Sequence, residues 1–450
     1  MNHERKIYSA YEGVVCKKVP IYKGPGGCTV NSESILLMKT LAALLASVSC
    51  VATLLAQNAT TTPGAIATRV QPPTSSKAIR ELIRFGVTRR ENRAAAAQAG
   101  EENENKAIER ALNWFVATQK IDGSWDGGNV SRIGTTGLIM ISFMGYGVLH
   151  VEPPNTPQTA SASSNPKYRA AMAKAVEWML KQVSSDGSIR DSGRMYDQGI
   201  ATYALCEAYG LAADASLKDA CERAVAFIVK AQNRETGGWR YVPISSSKSE
   251  KGDLSVSGFQ IMAIESAKYS KLAVPDTAFK LAREFLDSRS GGPQRGLYGY
   301  HNDRSLPTPA MTAVGMFCQR LLLESGAQLD VERVKESANY IRANLPSVED
   351  VNYYYWWYGS YAMGYHSDQA WDEWYWGTKE RPDYPGLGTI LLDRQVKTGD
   401  LAGSWSPEGY MAERFGRHIT TAFVILMMET PYRFSSLPSF RGFTRRGTRD

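Results

Sequence analysis

Cysteine is scarce and badly spaced for metal. The 450-residue chain has six, none in a Cys-x-x-Cys pair, so a structural zinc site of that kind is excluded. Three of them lie in the first 50 residues; the others are Cys206, Cys221 and Cys318. Cys206 and Cys221 flank one connection between helices. They can bridge in an oxidising compartment or stay buried as thiols. Positive charge is missing where nucleic acid would need it. The formal net charge is +7, yet residues 1–39 carry six Lys/Arg against three acids, and residues 431–450 carry five Arg against one Asp. The stretch between is neutral overall and has no basic stripe interleaved with stacking aromatics, which excludes nucleic acid as a partner. What the chain does have is apolar: 43% hydrophobic and 10% aromatic residues, enough for a large core.

One apolar run, Ile35 to Ala56, is long enough to span a bilayer. Within it, Met38-Lys-Thr opens a stretch rich in Leu and Ala that ends in small residues, the pattern of a bacterial-type secretory signal. The expectation is that translation starts at Met38, that residues 1–37 are an upstream extension, and that 38–56 are removed. The mature chain would then begin close to Gln57 and be periplasmic or secreted. The alternative is that the same run anchors the protein and gives it membrane contact. Residues 57–76, rich in Thr, Pro and Gln, read as a linker. Residues 77–102 form a charged helical lead-in, and 438–450 a basic tail.

The rest is organised by a repeat. Ala107, Ile108, Ala111, Leu112, Phe115 and Val116 sit at helical spacing. Gln119-Lys-Ile-Asp-Gly-Ser-Trp125 closes that helix, because glycine can take the left-handed backbone a helix end needs. An apolar helix follows. The unit of helix, Gly-Trp turn and helix recurs through Gln182…Gly187-Ser-Ile189, Gln232…Gly237-Gly-Trp239, Gly296-Leu-Tyr298, the aromatic helix around Tyr353–Tyr365, and Gln395…Gly403-Ser-Trp405. That makes six helical hairpins over residues 103–437. A repeat array that closes on itself is one domain despite the length. The repeated Gln is placed to bond the exposed carbonyls of its own helix end, or the free amides that start the next helix.

The Gln…Gly-x-Trp repeat resembles that of the squalene and terpenoid cyclases, and is similar to the repeats of protein prenyltransferase β subunits. The resemblance implies an all-α fold, an α/α toroid with inner helices around a cavity and outer helices behind them. It leaves the reaction open, because one fold hosts many chemistries.

The cyclases begin by protonating an alkene or epoxide with an Asp-x-Asp-Asp motif. Clustered carboxylates raise one another's pKa, so that one stays protonated. Here Asp253 falls on the first position, but Ser255 stands on the second, the proton donor, and Val256 on the third. Asp253 alone reads as a helix N-cap. The prenyltransferase branch implies a catalytic zinc held by Asp and Cys two residues apart, and by a His on the last inner helix. Asp350 and His418 match that pattern, while Asn352 replaces the Cys, and a neutral amide is a poor zinc ligand. No metal or other cofactor is therefore expected; Asp350 and His418 are the candidates for a metal or polar cluster, with Arg417 beside them. The catalytic candidates are Asp253, Asp350 and His418.

Tyr353-Tyr-Tyr-Trp-Trp-Tyr358 is the densest aromatic stretch. Tyr354, Trp357, Tyr358 and Tyr361 share one helical face, and with Asn352 and Arg417 they are the candidate cavity lining. Such rings suit cations or apolar ligands, and tyrosine suits a dry core only where each hydroxyl finds a partner. A glycan-active enzyme would instead need two facing carboxylates, about 5–10 Å apart, for which Asp372, Glu373 and Glu408 are candidates, with Trp371, Trp374 and Trp376 as stacking platforms. The reading that best fits the residues is an exported toroid that binds an apolar or isoprenoid-type ligand in an aromatic-lined central cavity, without squalene cyclase activity. The alternatives are an active enzyme on an isoprenoid or a glycan, and a non-catalytic scaffold.

Overall fold

The computed structural model describes residues 102–128, 131–153, 165–189, 194–243, 251–301, 306–323 and 330–433. The leader, the linker, the lead-in before residue 102 and the basic tail lie outside these residues. Everything described belongs to one compact unit, Val70–Asp450. No described helix is long and apolar enough to cross a membrane.

The chain alternates two kinds of helix. The first kind is amphipathic: α1 (Glu102–Thr118), α3 (Pro166–Gln182), α5 (Lys218–Ala231), α7 (Asp276–Ser288), α9 (Val331–Arg342) and α12 (Leu387–Arg394). In α5 the buried residues are Ala220, Cys221, Ala224, Val225, Ile228 and Ala231. That spacing of three and four leaves the other face to water. The second kind is buried nearly all round: α2 (Arg132–Gly145), α4 (Met195–Ala212), α6 (Leu254–Tyr269), α8 (Pro309–Leu321), α10 (Tyr353–Gly364) and α13 (Ala412–Met428). A helix apolar on every side must be surrounded by protein. Its contacts show how: α2 packs on α4, α4 on α6, α6 on α8, α8 on α10, α10 on α13, and α13 back on α2. The amphipathic helices lie behind this ring, α3 against α2, α5 against α4, α9 against α8 and α1 against α13. The fold is an all-α toroid. Among the described residues the only strands are a two-residue pair, β1 (Ser290–Gly291) and β2 (Leu297–Tyr298). Four short helical segments complete the described residues: a 3-10 turn at Ala215–Leu217, α11 (Asp368–Trp371), the π-type segment Asp372–Trp376 that continues it, and α14 (Thr430–Arg433).

The repeat residues explain how neighbouring hairpins lock. The Trp125, Trp239 and Trp405 side chains are fully buried. Their indole N–H groups donate to the carbonyls of Phe115, Ile228 and Leu391 at 2.8, 2.8 and 2.7 Å. Their backbone N–H groups donate to Thr136, Ser257 and Thr421 hydroxyls on the following inner helix. The Gln side chains work differently from expectation. Each amide spans two carbonyls: Gln119 those of Gly123 and Ala171, Gln232 those of Gly237 and Ala278, Gln395 those of Gly403 and Ala107. The second carbonyl belongs to the next outer helix, so the Gln ties one hairpin to the next and bonds no free amide of its own inner helix. Gln395 makes the tie between the last hairpin and α1, and Arg110 donates back to its Oε1 at 2.7 and 2.9 Å. In the second hairpin Gln182 bonds only within its own helix, at Trp178. Gln198 from the inner helix takes the bridging place, reaching Gly187 and Ala224.

Glycine in these turns is required twice over. Gly237 has φ +77°, and a Cβ there would lie 1.9 Å from the Leu281 carbonyl oxygen of α7. Both the backbone sign and the close approach exclude a side chain.

Cys206 and Cys221 are both buried free thiols. The Cys221 pKa is pushed well up, first by the hydrogen bond with Cys206 and then by burial.

Candidate site at the open end of the ring

The inner helices differ along their length. At their N-terminal ends Tyr196, Tyr241, Tyr300, Tyr354 and Phe415 are half-buried and keep accessible surface. One turn deeper the ring is filled. Trp357 is 1% exposed, Phe423 2% and Phe259 3%. Trp357 stacks on Phe423 of α13 at 4.9 Å and meets Phe259 of α6 at 5.6 Å. A single α10 side chain thus touches rings from two other inner helices and forms a floor. Below it Tyr358 and Tyr361 pack on Phe317 of α8. The expected aromatic lining therefore divides: Tyr354 faces the accessible end, while Trp357, Tyr358 and Tyr361 lie in or under the floor.

Asp253 sits at the rim as the N-cap of α6, accepting from the Val256 N–H at 2.9 Å. It does more than cap. Its Oδ1 also accepts from Ser255 Oγ at 2.7 Å, and its Oδ2 from Arg240 at 3.1 Å. Ser255 Oγ in turn lies 2.6 Å from the Tyr196 hydroxyl. Arg240 stacks on Tyr241, 5.0 Å from the ring centre, and the hydroxyls of Tyr241 and Tyr300 are bonded to each other. Burial pushes the Asp253 pKa up, and the bonds from Ser255, Val256 and Arg240 pull it back. Burial likewise holds the Tyr196 and Tyr354 hydroxyls neutral, reinforced by the nearby Asp253 charge. Val256 is fully buried in the core, away from this chemistry.

These partners were missed in the sequence, although an offset marks two of them. Tyr241 and Tyr300 each stand two residues after the turn aromatic, Trp239 and Tyr298. Tyr196 carries no such signal.

The other candidates are placed elsewhere. Asn352, not Asp350, caps α10, accepting from the Tyr355 N–H at 3.0 Å. Asp350 is exposed in the preceding loop. His418 is turned against α1, with Nε2 3.0 Å from Thr118 Oγ1 and its ring stacked on Trp114 at 4.6 Å. Arg417 donates to Ser404 at 3.1 Å and Ser406 at 3.3 Å in the last Gly-Trp turn. Among the described residues no group of three or more His, Cys, Asp or Glu is arranged to hold a metal. Two of the three carboxylates considered for glycan chemistry are held by arginines: Glu373 by Arg342 at 2.6 Å, and Glu408 by Arg394. Trp374 is fully buried and donates to Ser360, and Trp371 stacks on Tyr375. These two indoles are packing, not open platforms.

His418 makes a pH prediction. Burial, aided by the neighbouring Arg417 charge and opposed by Asp126, lowers its pKa from 6.5 to about 4. A depressed imidazole leaves the unfolded chain binding the proton first, so stability is full above pH 6.5 and falls as pH drops towards 4. His418→Gln should flatten that part of the profile of melting temperature against pH. Equal slopes in wild type and variant would mean His418 is not the group responsible.

No protein-family model matches the chain. No curated protein matches it either. Solved structures do. The GH76A α-1,6-mannanase of Salegentibacter sp. HEL1_6 is 10% identical at a TM-score of 0.50, covering 73% of this chain and 98% of its own. The cellobiose 2-epimerase of Spirochaeta thermophila DSM 6192 is 10% identical at 0.48, covering 81% and 99%. A type II terpene cyclase from Scytonema, bound to merosterolic acid A, is 13% identical at 0.45, covering 74% and 97%. The three act on different chemistries, so the terpenoid cyclases are one of several groups that this chain is similar to. What the likeness establishes is the fold: the chain is an α/α toroid.

Proposed function

We propose that this is an exported toroid that binds an apolar, isoprenoid-type ligand at the open end of its ring, over an aromatic floor, without squalene cyclase activity. The observation that carries the reading is the rim of half-buried tyrosines, Tyr196, Tyr241, Tyr300 and Tyr354, at the N-terminal ends of the inner helices, above a floor of packed aromatic rings. Rings at a partly accessible rim suit an apolar ligand. Ser255 supports the absence of cyclase activity, because a hydroxyl cannot protonate an alkene as a carboxylic acid can. Asp253 is also a poor direct donor, since its two oxygens accept from Ser255, Val256 and Arg240.

Mass spectrometry of lipids extracted from protein purified from its native host tests the binding. Apolar isoprenoid-type species should be retained at near-stoichiometric amounts. Protein that retains none would count against the reading and favour a scaffold. Purified protein incubated with squalene should yield no cyclic triterpene; finding one would overturn the second half.

A further inference from the structure

Most inner helices start alike. Ser131, Asp253, Thr308 and Asn352 have negative φ, and each side chain accepts from a backbone N–H of the first turn, capping α2, α6, α8 and α10. The last inner helix starts differently. Met411 stands at the N-cap of α13 with φ 62° and no side-chain capping bond, and Gly416, inside the helix, has φ 69° and ψ 178°. Ala412–Phe415 is therefore a single turn between two residues of positive φ. The Arg414 and Phe415 N–H groups close it on the Met411 carbonyl, each at 3.0 Å.

Both sides of this turn are fixed. Before it, the Tyr410 N–H donates to the Val351 carbonyl at 2.9 Å. After it, Arg417 donates to Ser404 and Ser406. Between these anchors the Phe415 ring stands edge-on to Phe423 at 5.8 Å, and Phe423 stacks on Trp357. The turn thus lays one ring on the aromatic floor at the accessible end. A Cβ on Gly416 would lie 3.6 Å from Gly128 Cα, an ordinary contact, so the backbone angle, not space, calls for glycine there. Met411 holds an angle that side chains disfavour, and strain of this kind collects at ligand clamps and switch regions.

We propose that residues 411–416 are a flap over the mouth, held shut by the Phe415 ring on Phe423 and turning on Met411 and Gly416 to let a ligand reach the floor. Hinges are a few loop or element-terminal residues that absorb a φ/ψ change. What enters is taken from the apolar-ligand reading, on which this inference rests.

The test mixes N-phenyl-1-naphthylamine, an apolar fluorescent probe, with the full chain in stopped flow. Phe415→Ala should raise the association and dissociation rate constants at least tenfold each and change the affinity less than threefold, because a gate alters both directions alike. A ring that merely lines the site would raise dissociation alone. Gly416→Ala, which cannot hold the closed angle, should also speed both rates; if it fails to fold, Phe415→Ala decides. Tyr410→Ala removes an exposed ring just before the flap and should leave both rates unchanged. Association within about twofold of wild type in Phe415→Ala overturns the flap while the apolar reading stands. If neither wild type nor variant binds the probe, the apolar reading falls, and hydrogen exchange of the unliganded chain, read by mass spectrometry, decides the flap. Phe415→Ala should then speed exchange in 411–416 at least tenfold and leave 419–428 within about twofold. Acceleration of both segments, or of neither, overturns it.

Discussion

Arg433→Met is expected to lower the unfolding free energy by about 3–5 kcal/mol, because removing one partner of a buried ion pair leaves the other uncompensated. Arg433 is fully buried at the end of the ring opposite the candidate site. It lies 2.6 Å from Glu207 and 3.9 Å from Glu429. It also donates to the Ile141 carbonyl at 2.9 Å and to the Tyr203 hydroxyl at 3.1 Å. One guanidinium on α14 thus holds α2 and α4, and its planar fork of donors is what lets it satisfy both at once. Glu207 is 6% exposed and Glu429 fully buried, so neither carboxylate can turn to water when the arginine is lost. Chemical denaturation should show the loss. Adding Glu207→Gln should recover part of it, since the stranded charge is then removed. A cost below about 1 kcal/mol, the range of an exposed pair, would mean that the network does not hold this end closed.

Trp405→Ala is expected to cost a similar amount, about 3–5 kcal/mol, the range for truncating a large aromatic in a packed core. The side chain is fully buried and donates to Leu391 at 2.7 Å, while its backbone N–H holds Thr421 on α13. Its hairpin closes the ring: Gln395, ten residues earlier, ties it to Ala107 of α1. Loss of the indole should therefore loosen the join between the last hairpin and the first, and expose the Gly403 turn to limited proteolysis before other turns. Trp405→Phe keeps most of the packed volume and should cost far less, mainly the one hydrogen bond, about 1 kcal/mol. Equal cost for Phe and Ala would show that the indole N–H, not the volume, is decisive.

Much of the fold was legible because its signals are local. The burial of α5 follows directly from the spacing of Ala220, Ala224 and Ile228, and the turn at Gly237 from glycine followed by a ring that must be buried. The N-cap role of Asp253 was readable from its place before an apolar run. The site was less legible, because its partners come from different hairpins. Asp253 belongs to the third, Tyr196 to the second and Tyr354 to the fifth, and no spacing along the chain relates them. The aromatic face on α10 was visible as a stripe. Which of its rings stays accessible was not, because that depends on Phe259 and Phe423 arriving from α6 and α13.

The Asp350–His418 expectation was hard to judge from sequence for the same reason. Two residues near the starts of predicted helices look alike in sequence whether they face each other or not. His418 packs on Trp114 because α13 closes against α1, a contact between the two ends of the repeat array. The recurring unit of helix, Gly-aromatic turn and helix determined from sequence that the chain is an array of helical hairpins, and the resemblance of its Gln…Gly-x-Trp repeat implied the toroid, because both signals are local. Tertiary structure alone decided where the ring is open and where it is filled. It also decided that Gln395 joins the last hairpin to the first, and that Tyr196, Ser255 and Asp253 meet at the rim. Each of those depends on distances between helices far apart in the chain, which no local pattern encodes.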